Sequence, residues 1–85
     1  VPRPQIVFPP DATEVELGLD DDTSAALALK VRDGAPPFTW YVDGAPVLLH
    51  AMRREAAWRP REPGFIDISV VDSNGAAART RVLVK

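Results

Sequence analysis

Apolar and polar residues alternate with a period of two along most of this 85-residue chain, the pattern of strands that bury one face. The clearest case is Phe38-Thr39-Trp40-Tyr41-Val42, with Phe38, Trp40 and Val42 on one side and Thr39 and Tyr41 on the other. Asp43-Gly44 follows at once and supplies the positive φ angles of a type I′ turn, so a β-hairpin is predicted. With those two residues as the loop, Val42 faces Ala45, Tyr41 faces Pro46, Trp40 faces Val47 and Phe38 faces Leu49. The return strand runs to about His50, and the stretch from His50 to Glu55 is read as a loop.

A second hairpin is written into Phe65 to Lys85. Ile66, Ile68 and Val70 share one face, and Phe65, Asp67, Ser69 and Val71 the other. Ser73-Asn74-Gly75 as a three-residue loop with a left-handed Gly75 sets Val70 opposite Ala78, Ile68 opposite Thr80 and Ile66 opposite Val82. The other face then pairs Asp67 with Arg81 and Ser69 with Arg79. A loop one residue shorter or longer would place Arg79 or Arg81 against the buried Ile and Val positions, which selects the three-residue loop.

The remaining segments complete an all-β pattern. Leu27, Leu29 and Val31 alternate with Ala28, Lys30 and Arg32, and Ala56 and Trp58 share a face of a short segment ending at Pro60. Ile6-Val7-Phe8 is closed by Pro9-Pro10-Asp11 and the alternation resumes at Glu14-Val15-Glu16-Leu17, which fits an edge strand interrupted by proline. After Leu19, Asp20-Asp21-Asp22-Thr23-Ser24 is a polar acidic loop. About seven short antiparallel strands and no helix predict an immunoglobulin-like β-sandwich, with an open barrel as the rival architecture. In the sandwich Trp40 is the central core plug. No disulfide can lie behind it, so Ile, Val, Leu and Trp58 fill that space.

Composition narrows the picture. A chain of 85 residues makes one domain, burying roughly 60 to 65% of its unfolded surface. The Pro-rich residues 1–4 read as a linker and 5–85 as a single domain. There is no cysteine, so neither a disulfide frame nor a thiolate-bound metal supports the fold. A net charge of −2 gives no general attraction to nucleic acid or to an anionic membrane. The apolar runs fall far short of the roughly 20 residues that span a bilayer.

The candidate chemistry is sparse. His50 is the sole histidine, and no partner for a dyad or metal site stands near it in sequence, so it is read as a surface loop residue. Asp20-Asp21-Asp22 lacks the spaced oxygen ligands and glycine of a calcium loop, and Asp72-x-Asn74-Gly75 is read as turn chemistry. No catalytic, cofactor-binding or metal-binding residue is assigned, because no nucleophile, base and oxyanion donors can be assembled. A candidate binding surface remains: the outer face of one sheet collects Tyr41, Phe65, Asp67, Arg79 and Arg81, a mixture suited to a partner protein or to stacking on a sugar. Trp58 is a further candidate, in a basic region of Arg53-Arg54 and Arg59-x-Arg61 that Glu55 and Glu62 partly neutralise.

Several elements in order carry a family resemblance. Ile6-Val7-Phe8-Pro9-Pro10-Asp11, Pro37-Phe38-Thr39-Trp40-Tyr41-Val42-Asp43-Gly44-Ala45-Pro46, Trp58-Arg59-Pro60, Pro63-Gly64-Phe65 and Val70-Val71-Asp72-Ser73-Asn74-Gly75 resemble the C-terminal domain of class C bifunctional penicillin-binding proteins. The resemblance covers nearly the whole chain. It implies a small periplasmic immunoglobulin-like domain of an inner-membrane-anchored peptidoglycan synthase, downstream of its glycosyltransferase and transpeptidase domains. The implied role is non-catalytic interaction or positioning, the partners being other domains of the parent synthase or periplasmic cell-wall proteins. No nucleic acid and no membrane contact by this domain are implied. A peptidoglycan-binding module and a structural spacer are the alternatives. The transpeptidase Ser-x-x-Lys pair is not in this segment: Ser24, Ser69 and Ser73 lack a lysine three residues on, and Lys30 and Lys85 are the only lysines.

Overall fold

The computed structural model describes residues 2–16 and 26–85. Asp20-Asp21-Asp22, Leu17, Leu19 and Ser24 lie outside the described residues. Eight strands and no helix are found among the described ones: β1 (Gln5–Phe8), β2 (Glu14–Val15), β3 (Leu27–Arg32), β4 (Phe38–Val42), β5 (Ala45–Ala51), β6 (Glu55–Trp58), β7 (Gly64–Val71) and β8 (Ala77–Val84). They form a three-stranded sheet, β1-β3-β6, facing a five-stranded sheet, β2-β8-β7-β4-β5. The predicted immunoglobulin-like sandwich is the observed architecture.

Alternation in the sequence becomes burial in the fold. The buried apolar core is Leu27, Leu29 and Val31 of β3, Phe38, Trp40 and Val42 of β4, Ile66, Ile68 and Val70 of β7, and Val82 and Val84 of β8. Trp40 is fully buried at the centre, as expected of a core plug, and Trp58 packs against the cluster from β6. The Trp40 indole N–H finds no acceptor among the described residues. An unmade hydrogen bond of this kind costs about 1–3 kcal/mol, less than the ring gains when a side chain of its size is buried.

The two hairpins keep register differently. β7 and β8 pair without interruption from Gly64 opposite Val84 to Val71 opposite Ala77, with Ile68 opposite Thr80 and Asp67 opposite Arg81, as the three-residue loop requires. Gly75 is left-handed at φ +83°. In the other hairpin Asp43 and Gly44 adopt φ of +50° and +83°, the type I′ turn, and Val42 and Tyr41 face Ala45 and Pro46 as expected. Beyond that point the expected register fails. Trp40 faces Leu48 instead of Val47, and Phe38 faces Ala51 instead of Leu49, because register shifts fall between Tyr41 and Trp40 and between Trp40 and Phe38. Each shift inserts one extra residue into β5; the first turns Leu48 against the core, and Leu49, within the second, is left 62% exposed. The strand continues to Ala51, so His50 belongs to it rather than to a loop, with a left-handed φ of +50°.

The proline-interrupted edge strand proves to be two edges. β1 pairs antiparallel with β3 in one sheet, whereas β2 pairs parallel with β8 in the other, so not every strand is antiparallel. Pro9, fully buried, lies where the chain passes between sheets.

Candidate binding surface

The outer face of the five-stranded sheet is set by parity. Residues of β4, β7 and β8 that alternate with the core positions point outward, which places Thr39 and Tyr41 opposite Val71 and Ser69, and Asp67 and Ser69 opposite Arg81 and Arg79. Tyr41, Phe65, Asp67, Arg79 and Arg81 therefore share one face, as the sequence indicates. Ser69 stands between Tyr41 and Arg79, and the Asp67–Arg81 pair lies in the next outward row.

Arg81 is already engaged from several sides. Its guanidinium carbon lies 4.8 Å from the centroid of the Phe65 ring, its Nε is 3.9 Å from Asp67 Oδ1, and its backbone N–H donates to Asp11 Oδ1 at 2.9 Å. The Phe65 ring, 62% exposed, thus carries a cation on one face, a contact worth about 0.5–1 kcal/mol at an exposed site. Phe65, Arg81 and Asp67 form a local staple across the β7–β8 ladder, and Arg79 stands beside it on the same strand.

Trp58 sits elsewhere. Paired with Leu27 across β3 and β6, it is half-buried against the core, and its remaining surface lines a shallow cleft with Val42, Asp43, Pro63, Phe65 and Ile66. The cleft joins Trp58 to Phe65 at one end of the sandwich and leaves Tyr41 out. In the nearby basic region, Arg54 donates to the carbonyls of Asp33 and Gly34 at 2.5 and 3.1 Å and lies over the buried Phe38 ring at 5.1 Å. Arg54 clamps the β3–β4 connection.

Tyr41 lines a separate depression with Pro37, Thr39, His50, Val71, Asp72 and Ser73. His50, Thr39 and Ser73 are the residues that reading the sequence missed. The bulge that brings His50 here leaves no signature in the β5 sequence, so no pattern in that strand would have located it. Its backbone N–H donates to Thr39 Oγ1 at 3.3 Å.

Asp72 explains how the depression is held. Its Oδ1 accepts the N–H groups of Asn74 and Ala76, both at 2.9 Å, and its Oδ2 accepts that of Ala35 at 3.2 Å. Burial pushes the carboxyl up, but the donors on Ala35, Ala76 and Asn74, with Arg3 nearby, outweigh it and hold the group below its ordinary value. The same junction gathers the opening segment: Gly34 N–H donates to the Pro2 carbonyl at 3.1 Å, and Pro4 is buried. Gly34 is left-handed, and a β-carbon there would come within 2.9 Å of Pro4 Cβ and 3.2 Å of Asp72 Oδ2. Asp72-x-Asn74-Gly75 is thus turn chemistry that also ties three distant segments together.

At the opposite end Lys85 Nζ meets Glu14 Oε2 at 2.9 Å, and that hydrogen bond and charge raise the Lys85 amine above its usual value. Among the described residues no group of three or more His, Cys, Asp or Glu side chains is placed to hold a metal ion, and no helix is long and apolar enough to cross a membrane.

Known proteins supply the context. A fibronectin(III)-like module of Clostridium thermocellum CbhA shares the fold, with a TM-score of 0.64 at 19% identity over 95% of this chain and 92% of that one. No curated protein matches the sequence. The model of the penicillin-binding protein C-terminus family matches residues 1–83, which the ordered elements from Ile6 to Gly75 anticipate, and the chain belongs to that family.

Proposed function

We propose that this chain is a non-catalytic accessory domain of a penicillin-binding protein, acting in the periplasm by interaction or positioning during peptidoglycan synthesis. The observation that carries this reading is the family match across residues 1–83, on a sandwich whose chemistry lies on an exposed sheet face. The fold supports it physically. Its buried residues make one mainly apolar core, and the buried carboxylate of Asp72 accepts three backbone N–H groups, a structural engagement of the turn. The parent synthase supplies glycosyl transfer and transpeptidation, and this domain contributes surfaces.

Deletion of the domain from its parent enzyme separates the outcomes. Acylation by a fluorescent penicillin is expected to persist in the truncated enzyme, while incorporation of labelled cell-wall precursor in cells falls and the enzyme's distribution along the envelope changes. Loss of acylation in a correctly folded truncation would contradict a non-catalytic role. Unchanged incorporation and distribution would leave a spacer.

A further inference from the structure

We propose that the depression between β4, the bulge in β5 and the β7–β8 hairpin is a binding subsite for a neutral oligosaccharide, held by Tyr41 and His50 with Thr39 and Ser73. The inference rests on the accessory-domain reading above and adds a place and a ligand class to it.

Backbone conformation gives the first reason. His50 holds φ at +50°, a region that costs a residue with a β-carbon roughly 1–2 kcal/mol and that glycine adopts freely. Ala12, Asp33 and Asp43 also hold positive φ, but His50 alone among these four lines the depression, and such residues cluster at functional sites. The bond from His50 N–H to Thr39 Oγ1 ties the bulge to β4, and His50 and Tyr41 line the same depression.

The lining chemistry gives the second. A phenol ring and an imidazole offer flat faces to the C–H surface of a sugar, and the Thr39 and Ser73 hydroxyls donate and accept hydrogen bonds as sugar hydroxyls do. No hydrogen bond among the described residues engages the Tyr41 hydroxyl or the His50 imidazole, so both are available. By contrast, the exposed Phe65 ring on the same sheet already carries Arg81.

Charge decides the ligand class. No lysine or arginine lines the depression, and its one carboxylate, Asp72, is occupied by Ala35, Asn74 and Ala76. An anion finds no lysine or arginine there, and the three backbone N–H donors on Asp72 compete with a cation for its carboxylate, whereas a neutral polyhydroxyl ligand needs no counter-charge.

Titration of the labelled domain with chitotetraose, and separately with maltotetraose, followed by amide and side-chain chemical shifts, tests this. Saturable shifts at Thr39, Tyr41, His50 and Ser73 are expected at millimolar sugar. Tyr41→Ala and His50→Gly are each expected to weaken binding by about fivefold or more. The glycine variant keeps the left-handed backbone, so its loss of binding is not a loss of fold. Shifts confined to Trp58 and Phe65, or none with either sugar, would overturn the proposal. The accessory role would still stand or fall on deletion from the parent enzyme.

Discussion

Two hairpins share the five-stranded sheet and differ in how tightly their strands are held. β7 lies between β8 and β4, and its ladder with β8 runs through eight consecutive pairs without a break. β5 has a neighbour on one side only among the described residues, and its pairing with β4 slips twice. Moving a residue in β7 would break bonds on two flanks and drive polar groups into the core. Moving one in β5 costs little, because the far side meets solvent. The bulges also serve the edge: with Pro46, they interrupt the row of unpaired donors that a regular edge strand offers to other chains. Specificity of register therefore follows the number of neighbours, and the irregular hairpin is the one that carries the proposed ligand site.

The largest test of this contrast is a change of length. Deleting Asn74 shortens the β7–β8 loop by one residue and turns Arg79 and Arg81 toward Ile66, Ile68 and Val70, so no cooperative thermal transition by circular dichroism is expected. A glycine inserted between His50 and Ala51 falls where β5 already accommodates an extra residue, and that variant is expected to melt cooperatively within a few degrees of the parent. Similar behaviour of the two variants would dissolve the distinction between the hairpins.

An intermediate effect is expected at Asp72. Its folded-state pKa lies below the ordinary 3.8, so the stability it provides is present above that value and is lost as pH falls through the folded pKa. Asp72→Asn keeps the shape but weakens the bonds to Ala35, Asn74 and Ala76. Its Tm should lie below the wild type at neutral pH, and the gap should narrow as the pH drops below 3.8. A gap that stays constant into acid would mean that the carboxylate charge contributes nothing to the junction.

The smallest effect belongs to the loose hairpin. His50→Gly relieves the positive φ and is expected to leave stability unchanged or raise it by about 0.5–1 kcal/mol, read from the urea midpoint. A loss would show that the imidazole packs as a structural residue, which would remove the reason for seeing strain there as functional.

What could be read in advance follows the same physical line. Ser73-Asn74-Gly75 was legible because only one loop length keeps two arginines out of the core, and Trp40 because its parity matches Phe38 and Val42. The proline break after Phe8 was visible, but its meaning was not: β1 and β2 have so few inward residues that nothing in their pattern says they join different sheets. The β5 bulges were hidden for a related reason, since Pro46 to Leu49 offers apolar side chains in either register. At the surface, parity placed Tyr41, Phe65, Asp67, Arg79 and Arg81 on one face, yet it could not show that Arg81 covers Phe65 or that His50 joins Tyr41. Those contacts depend on rotamers and on backbone slippage, which alternation does not encode.

The parallel pairing of β2 with β8 has a mechanical consequence. The opening segment is tied to the Asp72 end of the sandwich through Pro2 and Gly34, and Lys85 leaves at the far end beside Glu14. Tension applied between these two points pulls the strands along their length in opposite directions. It loads the bonds Ala12 N–H to Arg81 C=O, Leu83 N–H to Thr13 C=O and Lys85 N–H to Val15 C=O together, in shear, where a hairpin pulled from its open end would unzip one bond at a time. A domain strung in series with a stretched polymer would, with this strand order, resist extension before its core was disturbed.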